Sequence, residues 1–80
     1  MKIQILAFGI AKDIIKAQTI EVDMEEGNDI GSLKKVLCGQ FPDFQKLQSL
    51  SIAVNTEYQK DDYMLHENDE VVIIPPVSGG

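Results

Sequence analysis

Two stretches near the start of the chain alternate apolar and polar residues, a period-2 pattern typical of half-buried strands. The first stretch, residues 1–8, is rich in Ile, Leu and Phe, and we expect it to stop at Gly9. The second stretch alternates from Gln18 to Met24. Residues 11–16 between them are predicted to form a short turn or one helical loop. The pattern therefore predicts a β-hairpin.

The spacing of apolar residues then changes to that of a helix. Asn28 or Asp29 can cap this helix by accepting hydrogen bonds from its free N–H groups. The apolar stripe has spacings of three and four and consists of Ile30, Leu33, Leu37 and Phe41, widened by Val36. We expect the helix to end before Pro42 and to depend on tertiary packing, because Gly31 and Gly39 lower its intrinsic propensity.

The second half of the chain predicts short strands separated by turns. Residues 43–49 are read as a connector that turns Phe44 and either Leu47 or Leu50 inward. Residues 51–54 form a strand, residues 55–62 a turn with a short extended piece around Tyr58, and residues 66–69 another turn. Residues 70–74 contain four β-branched residues in a row and form the last strand, which Pro75 ends.

In this order, a hairpin leads into one helix that crosses back over the sheet, and the last strand can pair beside the first. The arrangement is the ubiquitin-like β-grasp, an α+β fold with a mixed sheet and one main helix packed on one face. A sandwich with helices on both faces would need a second long helix, which the pattern does not provide. We expect residues 1–74 to form the β-grasp domain and residues 75–80 a flexible Gly-Gly tail.

The charge balance excludes one large class of function. The chain carries 13 acidic residues against seven lysines and no arginine, a net charge of −6. A nucleic-acid ligand requires a basic surface, so we expect no nucleic acid among the partners. The single cysteine fits a reducing compartment, and no segment approaches the roughly 20 apolar residues of a membrane span. With no signal peptide recognised either, we expect a cytoplasmic protein without a membrane partner.

The end of the chain carries the candidate chemistry. Pro75 and Pro76 lock φ and lack N–H donors, so the strand cannot continue. The six residues from Pro75 to Gly80 span at most about 20 Å when they are fully extended. Gly79 and Gly80 can thread a narrow channel and present an unhindered carboxylate. We expect the whole tail to insert into a partner protein: Pro75, Pro76, Val77, Ser78, Gly79 and Gly80.

A carboxylate becomes an acylating group once it forms an acyl-adenylate with ATP, and a sulfur nucleophile can then replace AMP to give a thiocarboxylate. The chain has neither a G-x-x-x-x-G-K-[ST] nor a G-x-G-x-x-G pattern with which to bind ATP. We therefore expect that this chain binds no cofactor itself and that a partner enzyme uses ATP to activate Gly80.

The ending Pro75-Pro76-Val77-Ser78-Gly79-Gly80 resembles that of the MoaD family, the small subunit of molybdopterin synthase. Residues 8–13, the Ala53-Val54-Asn55 segment and residues 65–71 are also similar to that family. The resemblance implies a non-catalytic, sulfur-carrying subunit. A MoeB-like enzyme would adenylate Gly80, a cysteine-desulfurase system would supply sulfur, and a MoaE-like large subunit, in a heterotetramer, would accept the thiocarboxylate for synthesis of molybdopterin.

Alternation also predicts an apolar surface that the helix cannot cover. Successive strand residues point to opposite faces of a sheet, so the last strand keeps two apolar side chains on the face away from the helix. We expect that face to contact a partner through Leu6, Phe8, Val72 and Ile74. The alternative is that residues 43–49 fold over it.

Other candidate residues have simpler explanations. Cys38 is read as a small core residue, and His66 has no second ligand at metal-binding spacing. The acidic turns lack the spacing of a calcium loop, so we expect no metal. Three alternatives to the molybdopterin pathway remain open: a thiamine-type sulfur carrier, a ubiquitin-like protein modifier that uses the same carboxylate, and a plain interaction domain.

Overall fold

The structure, a computed structural model, describes residues 1–46 and 50–74. Within them it has five strands, two α-helices and one short 3-10 helix. The elements in chain order are β1 (Lys2–Ala7), α1 (Gly9–Ile15), β2 (Thr19–Asp23), α2 (Ile30–Gln40), the 3-10 helix Pro42–Lys46, β3 (Ser51–Val54), β4 (Glu57–Gln59) and β5 (Glu70–Ile74). The strands form one sheet in the order β2-β1-β5-β3-β4.

The pairing within this sheet confirms the predicted β-grasp fold. Strands β1 and β2 form the antiparallel hairpin, and β5 lies parallel to β1 with Leu6 opposite Val72. Strand β3 pairs antiparallel with both β5 and β4. The sheet is therefore mixed, and β5 lies at its centre.

Helix α2 follows the predicted boundaries. Of the two candidate caps, Asp29 is the one used: its Oδ1 accepts a hydrogen bond from the Ser32 N–H at 2.9 Å. This hydrogen bond favours the charged carboxylate and lowers the pKa of Asp29 below its usual value. At the other end the N–H of Phe41 donates to the carbonyl of Leu37, and Pro42 begins the 3-10 helix. The apolar stripe of Ile30, Leu33 and Leu37 is fully buried.

Of the two forms predicted for the segment after β1, a short turn or one helical loop, the structure has the helical one, and it begins two residues earlier than expected, at Gly9. The segment forms the helix α1, which Lys16 closes in the left-handed conformation at a φ of 65°. Ala11 and Ile15 are four residues apart and both are buried, which explains why this segment is helical. A helix of seven residues is too short to show a clear period in the sequence.

The core lies between the helices and one face of the sheet. Its largest fully buried side chains are Phe44, Ile3, Ile5, Ile30, Leu33, Leu37, Ile52, Ile73, Val54 and Val71. Phe44, as predicted, turns inward, and its ring meets that of Phe41 edge-on with centroids 6.1 Å apart. Leu50 packs half-buried against the core, whereas Leu47 lies outside the described residues.

Candidate functional site

The tail expected to carry the chemistry begins where β5 ends, at Ile74. The predicted tail residues Pro75, Pro76, Val77, Ser78, Gly79 and Gly80 lie outside the described residues, so their roles stay predictions. The structure fixes the point from which the tail starts. Strand β5 is held between β1 and β3, so this point lies at the centre of one end of the sheet.

The four residues predicted as a partner contact lie together beside this point. Val71 and Ile73 are fully buried against the helices, so Val72 and Ile74 point to the opposite face, where both are half-buried. Leu6 lies directly across from Val72 in the parallel register and is half-buried too. Phe8 continues β1 with extended backbone angles, and 46% of its surface is exposed. We call the face of the sheet that carries these four residues the open face.

Strand register adds two residues that the sequence analysis did not assign to the open face. Val72 lies opposite Ala53 of β3, and Ala53 lies opposite Tyr58 of β4. With Leu6, these side chains form a row across four strands. Tyr58 is the most exposed member of this row, with 69% of its surface accessible to solvent. Only the pairing of distant strands could have shown that it belongs to this row.

The described part of the connector does not cover the open face. Phe44 is buried in the cluster that contains the apolar stripe of α2, so the 3-10 helix packs on the helical side of the sheet. Residues 43–46 therefore do not bury the open face, contrary to the alternative considered for the connector. The remaining connector residues, 47–49, lie outside the described part of the chain.

The structure also bears on the features for which the sequence indicated no chemical role. Cys38 is half-buried against the core. Across the part of the chain that the structure describes, no group of three or more His, Cys, Asp or Glu side chains could hold a metal ion. Within residues 1–46 and 50–74, no helix is both long and apolar enough to cross a membrane.

One acidic residue of the turn before β5 is buried rather than exposed to solvent. Asp69 is only 8% exposed, and its carboxylate accepts hydrogen bonds from the Asn55 side chain at 3.0 Å and from the His66 N–H at 2.8 Å. Asn55 in turn accepts a hydrogen bond from the Glu70 N–H at 3.0 Å. These contacts, which we call the Asn55–Asp69 clasp, hold the β3–β4 turn against the start of β5. They fix the strand from which the tail continues.

Comparison with known proteins agrees with this architecture. A sequence profile of the ThiS family matches residues 5–80. The chain is similar to the molybdopterin synthase sulfur carrier subunit of Dictyostelium discoideum, with 35% identity over 96% of this chain and 94% of that protein. It is also similar to the subunit of the same name from Arabidopsis thaliana, with 30% identity over 100% of this chain and 84% of that protein.

Two solved structures share the fold. A putative molybdopterin converting factor, subunit 1, from Pyrococcus furiosus superposes with a TM-score of 0.89 at 22% identity, covering 96% of this chain and 99% of that chain. A chain in the complex of subunits 1 and 2 of the molybdopterin-converting factor from Helicobacter pylori superposes with a TM-score of 0.69 at 25% identity, with full coverage of both chains.

Proposed function

Because the chain belongs to the ThiS family, we propose that it is the sulfur carrier subunit of a molybdopterin synthase and that Gly80 carries the sulfur. The observation that supports this most strongly is the 35% identity to a molybdopterin synthase sulfur carrier subunit over nearly the whole of both chains. The sequence adds the Gly79-Gly80 pair on which the proposed carrier chemistry depends.

The proposed reaction at Gly80 has two steps. A carboxylate oxygen attacks the α-phosphate of ATP, the bond between the α- and β-phosphates breaks, and pyrophosphate leaves. A nucleophile at the oxidation level of sulfide then attacks the carbonyl carbon, and AMP leaves with the original carboxylate oxygen. The product is a thiocarboxylate, which can deliver its sulfur to a pterin precursor. Water then supplies the oxygen that replaces the sulfur on the carbonyl carbon, and the tail returns as the carboxylate.

Partners divide this chemistry in the proposal. A MoeB-like enzyme binds ATP and adenylates Gly80, since this chain has neither a G-x-x-x-x-G-K-[ST] nor a G-x-G-x-x-G pattern. A MoaE-like large subunit receives the tail and holds the pterin precursor. Support for the large subunit comes from the similarity to a chain of a two-subunit molybdopterin-converting factor. We place the protein and this pathway in the cytoplasm.

The open face supports a contact with these partners. An apolar surface borders the start of the tail and consists of Leu6, Phe8, Val72 and Ile74. A protein that binds the tail would therefore contact this surface as well. Apolar surfaces near a functional group are favoured sites of protein contact.

Replacing Phe8 tests this contact. Phe8→Asp should lower the affinity for the large subunit roughly tenfold or more, because an anchor would be replaced by a charge. Met64→Asp is a matched control, since Met64 is also 46% exposed but comes from the turn region before β5. Equal affinities of the two variants, with both folded by circular dichroism, would show that Phe8 is not part of the interface.

Intact-mass analysis tests the carrier chemistry itself. The chain is incubated with its activating enzyme, ATP and a sulfur source, and we expect a mass gain equal to the exchange of one oxygen for sulfur, located at Gly80. A chain with one alanine added after Gly80 is the control and should gain no sulfur. The proposal would be refuted if the wild-type chain gained no sulfur under conditions in which the same activating enzyme loads another carrier protein.

The same assay separates the two other uses of the carboxylate. A protein modifier would form isopeptide bonds between Gly80 and lysines of other proteins, which mass spectrometry of cell extracts detects. A thiamine-type carrier would be loaded with sulfur but would not support molybdopterin formation when mixed with the large subunit. We expect no isopeptide adducts and full support of molybdopterin formation.

A further inference from the structure

The open face contains a depression of about 170 Å³ that begins at Leu6 of the apolar row and extends toward the start of β5. It is lined by Gln4, Ile5, Leu6, Thr19 and Glu70. Three neighbouring strands meet there: Gln4 lies opposite Glu70 of β5, and Leu6 lies opposite Thr19 of β2. The apolar wall therefore comes from Leu6 of β1, while the Glu70 carboxylate and the Thr19 hydroxyl lie on its two sides.

The polar groups around this depression are available to a ligand. Among the described residues, the side chains of Gln4, Thr19 and Glu70 make no hydrogen bond or ion pair. Lys2 also lies on the open face, but its Nζ is 3.7 Å from Glu21 on β2, on the far side of β1 from Glu70. The carboxylate of Glu70 is thus left to face solvent.

We propose that this depression receives an arginine side chain of the large synthase subunit and that Glu70 binds its guanidinium group. The volume of about 170 Å³ is well above the roughly 10–15 Å³ that a single water needs, so the depression has room for a guanidinium group and the methylene groups before it. The methylene groups would lie along Leu6, and the planar head would reach a carboxylate, an amide oxygen and a hydroxyl, three acceptors for its five donors.

The charge of this chain indicates why the arginine comes from another protein. The chain has no arginine and a net charge of −6, so a second copy could offer only lysine and would bring more negative charge. Lysine is also a poorer fit, because its ammonium is a compact, strongly hydrated charge without a planar array of donors. A partner surface with apolar residues opposite Leu6 and Val72 and an arginine opposite Glu70 matches the open face in both character and register.

This inference rests on the proposed function for the identity of the partner, and substitutions of Glu70 test it separately. Neither Glu70→Gln nor Glu70→Lys should disturb the fold, because the contact that Glu70 makes in the clasp uses its backbone N–H. Glu57→Lys is the matched control: Glu57 is also the exposed first residue of a strand, and the substitution makes the same change in net charge.

Affinity for the large subunit is measured by titration calorimetry, with folding checked by thermal melts. We expect Glu70→Gln to weaken binding roughly tenfold and Glu70→Lys to weaken it further, since the arginine would be left buried without its partner. Glu57→Lys should change affinity less than about threefold, as expected for a charge outside the contact.

The outcomes distinguish this inference from the proposed function. If wild-type chain is loaded with sulfur and binds the large subunit, but Glu70→Lys binds as Glu57→Lys does, the arginine site is wrong and the carrier function stands. If wild-type chain is not loaded and does not bind, both fail. If Glu70→Lys instead abolishes a self-association of wild-type chain seen by ultracentrifugation, the occupant is a second copy and the proposal is overturned.

Discussion

At the scale of single residues, backbone conformation decides how two glycines respond to substitution. Gly27 has a φ of 87° and Gly39 lies inside α2, and an added Cβ would meet no atom within 4 Å at either position. Gly39→Ala should therefore stabilise the protein by about 0.5–1 kcal/mol through helix propensity. Gly27→Ala should destabilise it by about 1–2 kcal/mol, because an L-residue is strained in the left-handed region. Changes of the same sign in denaturant unfolding would contradict this reasoning.

The buried carboxylate of Asp69 gives a second prediction at this scale. Asp69→Ala leaves the Asn55 amide and the His66 N–H without their acceptor, so it should lower the free energy of unfolding by about 2–3 kcal/mol. Glu67→Ala in the same turn is the control and should change it by less than about 0.5 kcal/mol, because Glu67 is exposed. Equal losses in urea unfolding would show that the clasp does not stabilise the fold.

The Asn55–Asp69 clasp could not be predicted from the sequence, although the sequence contains all of its residues. The run from Glu67 to Glu70 has the composition of a solvated turn, and the partner of Asp69 stands 14 residues earlier in the chain. Asn55 adopts a positive φ of 50°, which asparagine tolerates better than most residues, and this conformation is set by the tight β3–β4 turn. The Asp69 carboxylate is buried because of its contact with a distant part of the chain, which the local sequence pattern does not indicate.

At the scale of elements, the two faces of β5 should respond differently to the same substitution. Val71 is fully buried on the helical face, so Val71→Thr places a hydroxyl in the core and should cost about 1–3 kcal/mol of stability. Val72→Thr changes the half-buried open face and should cost less stability, but should weaken binding to the large subunit. Thermal melts and binding titrations of both variants check this. A larger loss of stability for Val72→Thr would reverse the assignment of the faces.

The elements themselves were predictable to different degrees. Helix α2 shows a cap and an apolar stripe over three turns, so both its existence and its end before Pro42 could be predicted. Helix α1 buries only Ala11 and Ile15, and two positions do not establish a period. Strand β4 has three residues, and its place at the sheet edge depends on pairing with β3 rather than on its own pattern.

At the scale of the whole molecule, the order of elements predicted the fold because few topologies satisfy it. A hairpin followed by one crossing helix brings the last strand beside the first, and the observed parallel pairing of β1 with β5 confirms this. The position of the tail follows from the same order, since the central strand is the one that continues into it. The depression beside Glu70 could not be predicted, because residues from three strands line it.

The net charge of −6 leads to a prediction for the molecule as a whole. If the large subunit presents a basic surface to the open face, electrostatic attraction should accelerate association, and rising salt should slow it because ions screen charges beyond about 10 Å at 0.1 M. The association rate constant, measured by stopped-flow fluorescence from low to high salt, should fall by roughly tenfold while the dissociation rate changes less.

The double variant Glu25→Gln with Glu26→Gln separates this overall attraction from local contacts. Both residues are exposed in the turn after β2, near the opposite end of the sheet from the start of the tail, and the variant changes the net charge from −6 to −4. It should flatten the dependence of the association rate on salt while leaving the dissociation rate unchanged, since no contact is lost. An unchanged salt dependence would mean that encounter depends on individual ion pairs at the open face rather than on the field of the whole molecule.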